Sequence, residues 1–451
     1  MSYEILKEAK KIHFIGIGGI SMSSIAFVLL SRHYIVTGSD LYRSNMTERL
    51  SNAGAEIFYG HSPDNITDGT DVVIYTADVN EDNCELCRAR ELGIPCFVRA
   101  EALGYIMKDY DIPIGVSGTH GKSTTTSMLS EIFTTAKADP TVLSGAELSS
   151  NNGAYRLGDR KYFIFESCEY KDSFLSFYPK IAIILNVEED HLDYFRDLDH
   201  IVSSFKKFAE LCGENGTVIV NADCAASLRA IKAYSGNIVT FGIESKADFT
   251  AKNITYVHGR PNFDVFHNNE FYVHVCLSVY GRHTVSDALA AIAASHVCGI
   301  DKNDTVSALN GFKGAKRRFE LVKKYNGADI VSDYAHHPTE IETTLNAAMS
   351  IGYDKVTCIF QPHTYKRTFE FKDGFIKALS IADKTILLPI YAKRDSDEFG
   401  IDSSMISDEI KDAKLLPDLK SAAEYVRSNA QENELYILMG AGDINKAADM
   451  I

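Results

Sequence analysis

Positive charge is scarce in this chain. Lys and Arg number 46 against 61 Asp and Glu, a formal net charge of −15, which excludes a general binder of nucleic acid or of an anionic membrane surface. Anionic small ligands are not excluded, because a cleft on an acidic protein can be locally basic. Proline is sparse at 10 residues, and no internal repeat or low-complexity tract stands out, which argues against a repeat array or a linker-rich chain. The nine cysteines lack the spacing of a secreted disulfide framework. Cys84 and Cys87 form a lone C-x-x-C inside a helical pattern and read as ordinary thiols; reduced cysteines suit a cytoplasmic protein. The N-terminus passes from EILKEAKK into IHFIGIGG without an apolar leader or a small-residue cleavage site. The longest apolar stretch, Phe14 to Leu30, is interrupted by Gly16, Gly18, Gly19, Ser21, Ser23 and Ser24. It reads as strand, turn and helix, not as a membrane span.

At 451 residues the chain is long enough for two or three domains of roughly 150 residues each. Short β-rich runs alternate with helix-length amphipathic segments, the pattern of parallel α/β architecture. Strands are expected at 12–15, 34–37, 72–75 and 96–98, before a charged, Pro-terminated connector at 107–113. A second block has strands at 113–116, 162–165 and 181–185. Within it, 236–280 is rich in Tyr, Phe and Val, with turn signals at His258–Pro261 and Asn268–Asn269, and reads as antiparallel hairpins. A third block, after GFKGAKRRFE, has strands in ADIVSDY, KVTCIF, KTILLPIY and ELYILM. Three α/β domains are expected, with boundaries at 1–109, 110–313 and 314–451.

The stretch GVSGTHGKSTTT resembles a phosphate-binding loop with altered spacing. The G-x-x-x-x-G-K-[ST] pattern would need a glycine at position 116, which is Val116; the extra glycine is Gly118. Gly118 and Gly121 allow backbone N–H groups to converge on a phosphate. Lys122 adds a point charge, Ser123 offers a hydroxyl to Mg²⁺, and the following helix favours an anion at its N-terminus. Because Lys122 sits in a polar turn, its truncation is expected to remove no packing. A second glycine turn, GIGGISMSS, is followed by Asp40 at the end of the next strand. With Ser21 in the third glycine's place, it fits NAD weakly; another diphosphate-bearing ligand fits equally well, as does a simple tight turn. Glu166 and Glu169 follow one strand, and Asn186, Asp190 and His191 follow another. Carboxylate, hydroxyl and imidazole groups there suit a hard cation beside ATP. The third block adds Arg318 in RRFE, then SDYAHHPTEIE and FQPHTYKR. Thr339 and Glu342 have capping-box spacing, so part of this is readable as helix-start chemistry. Arg318 and Arg367 suit phosphate or carboxylate partners.

Taken in order, IHFIGIGG, GTHGKST, NVEEDHLDYF, RRFE, DYAHHPTE, FQPHTYKRT and MGAGDI resemble the Mur ligase family over the whole chain. The resemblance implies a Rossmann-like N-terminal domain for a UDP-sugar, a central P-loop ATPase α/β domain with an antiparallel β insertion, and a C-terminal Rossmann-like ligase domain. It implies ATP and Mg²⁺, with UDP-N-acetylmuramate and L-alanine as partners in peptidoglycan precursor synthesis. Carried over, Gly118, Thr119, His120, Gly121, Lys122, Ser123 and Thr124 hold the nucleotide phosphates. His283, Asp287, Arg318 and Asp333 make its other contacts, and Ser123, Glu169 and His191 hold the metal. Gly16, Gly18, Gly19, Ser21 and Asp40 contact the UDP-sugar. Tyr334, His336 and Arg367 lie near the reacting carboxylate and amino acid, and Lys122, His191, Arg318, His336 and Arg367 form the catalytic set. Ser21 and Ser24 replace glycines of the family's first loop. Thr284 and Asp287 replace its adenine-side asparagines, so Asp287 can accept from an adenine amino group but has lost the donor half of an amide. The alternatives are a muropeptide-attaching or folylpolyglutamate-type ligase, an NAD-dependent oxidoreductase, or a non-catalytic nucleotide-binding regulator.

Overall fold

The computed structural model describes residues 2–76, 79–148, 153–192, 194–392 and 397–451. They divide into two compact units, 1–240 with 293–300, and 241–292 with 301–451. Among the described residues no helix is long and apolar enough to cross a membrane.

The first unit carries a five-stranded parallel sheet. Its order is Glu56–Tyr59, Ile35–Asp40, Lys11–Ile15, Val72–Tyr75 and Cys96–Val98. That is the doubly wound arrangement expected, with one strand, Glu56–Tyr59, beyond those expected from sequence. Helix Ile20–Ser31 is buried continuously from Met22 to Leu29. Its apolar character on all sides is explained by a neighbour on each, because Phe27 also stacks on Tyr155 at 4.4 Å between ring centres. Tyr155 lies in Gly153–Arg156, which pairs antiparallel with Thr141–Leu148 in the unit's other sheet. There Ile112–Ser117 lies between Ile181–Ile184 and Tyr162–Glu166, parallel to both. Thr217–Asn221 extends the sheet beside Ile181–Ile184. The amphipathic helix Leu198–Glu210 covers it, capped by Asp197 and burying Ile201, Phe205 and Phe208 along one stripe.

In the second unit, Phe249–Val257, Arg260–His267 and Glu270–Cys276 form the expected antiparallel meander. Both turns have the positive φ angles their residues favour: 48° and 71° at His258 and Gly259, 51° and 67° at Asn268 and Asn269. The C-terminal sheet runs Glu320–Tyr325, Ala328–Asp333, Glu434–Met439, Lys355–Phe360, Lys384–Leu387 and Lys414–Leu415. Only its first pair is antiparallel, closed by Asn326–Gly327.

Against the first sheet, where His13 and Ser39 lie on adjacent strands, sits a buried polar cluster built on Glu85, which is inaccessible to solvent. Ser39 Oγ and Asn65 Nδ2 donate to it at 2.7 Å each, and His13 Nε2 and His61 Nδ1 each lie 3.1 Å from its oxygens. Burial pushes the Glu85 carboxyl up, but the hydrogen bonds from His13, Ser39 and Asn65 outweigh it and hold it at about 2. A carboxyl depressed on folding stabilises the protein above its unfolded value of 4.5 and loses that contribution as pH falls towards 2. Wild type should therefore lose about 3 kcal/mol across that window relative to Glu85→Gln, which has no proton to take up there. Urea-unfolding midpoints of the two proteins at a series of pH values check this; parallel curves would refute it.

Candidate active site

The strand order decides where the chemistry collects. Because Ile112–Ser117 lies between its two parallel neighbours, three loops leave the sheet side by side: 118–121, 167–169 and 185–191. These hold the predicted glycine turn, Glu169, and the Asn186–His191 segment. Ligands gather at such carboxyl ends in open α/β sheets.

The turn is held from behind by Asn186. Its Oδ1 accepts from His120 N at 2.8 Å, and its Nδ2 donates to His120 O at 3.1 Å. Thr119 N donates to Asn186 O, and Glu188 N donates to Thr119 Oγ1 at 2.9 Å. Gly118 has φ +140°, and a Cβ there would lie 3.1 Å from Asn186 N, so a side chain would be both strained and crowded. Gly121, at φ +84°, leads into helix Lys122–Thr135, where Ser123 is buried in the first turn and Thr124 lies beside it, partly buried. His120 Nε2 lies 3.5 Å from Glu188. Sequence reasoning named Asn186 only as a possible ligand; its observed role is to set the shape of the turn.

Lys122 departs from expectation. Its ammonium folds back into the turn, donating to Gly118 O at 2.5 Å and Thr119 O at 3.1 Å, and pairs with Glu169 at 3.1 Å. Glu169 is 3 % exposed. Burial works against the charged lysine, but the Glu169 carboxylate outweighs it and raises the Lys122 pKa. Truncating Lys122 would thus strand a buried carboxylate, so the expectation of a change without structural cost is corrected. His191, with φ +53°, packs its ring against Tyr170 at 4.6 Å, next in sequence to Glu169. Glu166, by contrast, is occupied by Ser144 Oγ and Gly145 N, at 2.8 and 2.6 Å.

In the first sheet, Asp40 serves the backbone. Its Oδ2 accepts from Gly18 N at 2.8 Å, and a Cβ on Gly18 would lie 2.7 Å from that oxygen. Gly16 and Ile17 N–H groups donate to Ser39 O. The fingerprint acid therefore braces the glycine turn. Gly19 precedes helix Ile20–Ser31 as its N-cap. Ser21 Oγ accepts from Arg99 at 2.8 Å, which brings an unforeseen cation to that helix start.

The remaining predicted residues lie in the second unit. Each Asp333 oxygen accepts one backbone N–H, from Phe319 at 2.8 Å and Ala335 at 2.7 Å. Its pKa is raised by burial. The two bonds fix the segment bearing Arg318, whose guanidinium lies 5.2 Å from the Tyr334 ring centre and 3.9 Å from Glu340. Arg317, which sequence reasoning passed over, donates to Gly440 O at 2.7 Å and Gly442 O at 3.0 Å, tying RRFE to MGAGDI. His336 Nδ1 lies 3.1 Å from Tyr334 O and 3.2 Å from Glu340. His337 is the N-cap of helix Pro338–Met349, its ring accepting from Thr339 N. The capping box proposed for Thr339 and Glu342 is not formed; Pro338 at the first helical position moves the start upstream. Arg367 is partly buried on helix Tyr365–Glu370. His283 opens helix His283–Val297, with Asp287 buried one turn on. Burial, with Arg318 nearby, lowers the His283 pKa to about 4. A neutral imidazole suits the edge of a base better than a phosphate.

Comparison with known proteins extends along the whole chain. The profile described as Mur ligase family, catalytic domain, matches residues 11–111. The Mur ligase middle domain matches 116–295, and the Mur ligase glutamate ligase domain matches 317–442. UDP-N-acetylmuramate–L-alanine ligase of Clostridium novyi (strain NT) is 44 % identical over 455 residues, covering 100 % of this chain and 99 % of that one. Its counterpart in Acetivibrio thermocellus is 46 % identical over 98 % of this chain and 95 % of its own. The crystal structure of UDP-N-acetylmuramate-alanine ligase from Thermotoga maritima superposes with a TM-score of 0.82 at 31 % identity, covering 97 % of both chains. A murein peptide ligase from Psychrobacter arcticus gives 0.73 at 25 % identity, over 98 % of this chain and 99 % of that one. With three successive domain profiles and full-length relatives of this identity, the chain belongs to the Mur ligase family.

Proposed function

We propose that the protein is an ATP-dependent ligase that joins L-alanine to the lactyl carboxylate of UDP-N-acetylmuramate, in the cytoplasm, as a step of peptidoglycan precursor synthesis. Residues 1–109 take the UDP-sugar, 110–313 the ATP, and 314–451 complete the ligase. The reading is carried by the likeness, from end to end, to ligases of that name.

A carboxylate is a poor acyl donor until one of its oxygens becomes a leaving group. The γ-phosphoryl of ATP moves to that oxygen. The amine of L-alanine then attacks the acyl phosphate, giving amide, ADP and phosphate. The Gly121 N–H, the N–H groups that open helix Lys122–Thr135 and the Lys122 ammonium receive the phosphates, an exchange in which Lys122 leaves the Gly118 and Thr119 carbonyls. The start of helix Ile20–Ser31 at Gly19 and Ser21, with Arg99 beside it, receives the diphosphate of the sugar nucleotide. Tyr334, His336 and Arg367 are assigned to the reacting carboxylate and the amino acid. A hard cation fits the donor set of Ser123, Glu169 and His191, because Glu169 is a buried carboxylate held at the glycine turn. Mg²⁺ bound there would offset charge on the transferring phosphoryl group.

Three outcomes are expected. Phosphate release should require sugar nucleotide, alanine and Mg²⁺ together; equal ATP hydrolysis without the sugar nucleotide would sink the reading, and a muropeptide accepted in place of alanine would favour the muropeptide-attaching alternative. Lys122→Ala should lower turnover at least roughly a hundredfold. It should also cost about 3 kcal/mol in unfolding free energy. Adding Glu169→Gln should recover that stability but not turnover, and a single variant that keeps most of its activity would reduce GTHGKST to a tight turn. Asn186→Ala should raise the KM for ATP about tenfold or more, by loosening the turn, while the KM for alanine stays put; steady-state kinetics with each substrate varied decides it.

A further inference from the structure

Away from the residues assigned above, the meander carries a second constellation. Asp264 and His274 are directly opposed across Arg260–His267 and Glu270–Cys276. Side chains alternate between faces along a strand, so His274 and Cys276, two residues apart, share Asp264's face. The contacts follow from that register. Asn253, at a bulge in the neighbouring strand, donates from Nδ2 to Asp264 Oδ2 at 2.8 Å. His274 Nδ1 lies 2.7 Å from Asp264 Oδ1. His274 Nε2 lies 3.4 Å from Cys276 Sγ. A carboxylate, an imidazole and a thiol thus stand in line, with the base oriented by a third group.

The electrostatics run in one direction. Hydrogen bonds from Asn253 and then His274 hold the Asp264 carboxyl below its ordinary value. An ionised Asp264 keeps the proton of a neutral ring on Nδ1, which leaves the Nε2 lone pair facing the sulfur. Cys276 is exposed, and its backbone N–H is fixed by Asn310 Oδ1 at 2.8 Å. Burial, by contrast, pushes the Cys212 and Cys298 thiols up to about 12.

We propose that Cys276 is a nucleophilic modification site, activated by His274 and Asp264, that forms mixed disulfides with small disulfides. His274 Nε2 takes the thiol proton. The Cys276 sulfur attacks one sulfur of the small disulfide, a new S–S bond forms as the old one breaks, and the released thiolate takes up a proton. The small disulfide is the oxidant, and it leaves as one thiol and one protein-bound half.

The test uses the full-length protein, limiting iodoacetamide and, separately, oxidised glutathione at neutral pH, with adducts assigned to each cysteine by peptide mass spectrometry. Cys276 should react first with both reagents, and its glutathione adduct should be reversed by dithiothreitol. His274→Gln should slow its alkylation by roughly tenfold, and Asp264→Asn by less. Labelling of Cys84, Cys87 and Cys224 in the same samples should not change, which shows that the variants are folded. An unchanged Cys276 rate in His274→Gln, or no adduct at Cys276 in wild type, overturns the proposal. The result does not depend on the ligase reading, since no nucleotide or amino acid enters the assay.

Discussion

An ammonium sunk among backbone carbonyls is stable only beside a counter-charge, and Glu169 provides it for Lys122. The rest of the central site can be traced from that pair. Glu169 reaches the turn because its loop follows a strand adjacent to Ile112–Ser117. The Asn186 clamp follows the adjacent strand on the other side. A different strand order would separate lysine from carboxylate and leave both charges buried alone, at several kcal/mol each. The pair also keeps an ammonium and a buried carboxylate together beside the glycine turn.

The second unit solves the same problem with the opposite choice. Asp333 is buried, and each of its oxygens accepts one backbone amide, with Arg318 nearby. Burial raises its pKa, whereas Glu85, surrounded by side-chain donors, is driven down to about 2. Three buried carboxylates, Glu169, Asp333 and Glu85, are therefore held by an ammonium, by amides and by a polar cluster. Each fixes the segments that donate to it.

Much of this was legible beforehand. Alternating β-rich and helical segments announced three α/β domains, and the turn residues His258–Gly259 and Asn268–Asn269 announced the meander. Strand Glu320–Tyr325 was missed although Asn326–Gly327 stood between two apolar runs as a hairpin signal. Lys414–Leu415 is two residues long and has no periodicity to detect. Roles within the site were harder to read. Asp40 was expected at the UDP-sugar and is seen bracing Gly18; Thr339 looked like a cap and His337 is one. Such roles depend on which side-chain oxygen or nitrogen reaches a backbone group, and sequence spacing constrains that only loosely. The partial burial of Lys122 was invisible for a related reason. A lysine after glycines reads as exposed until the loop carrying Glu169 is placed.

Asn186 has a further consequence, visible in the entropy of the loop. Its carboxamide donates to and accepts from the backbone of one residue, His120, as a neighbouring strand would, and so adds a rung of ladder outside the strands. Fixing one residue's backbone costs about 1–2 kcal/mol. For the 118–121 turn that cost has been met during folding, before any nucleotide arrives. On the proposed function, an anion at the start of helix Lys122–Thr135 then meets a backbone that needs little further ordering, so more of the attraction between phosphate and protein remains available as affinity.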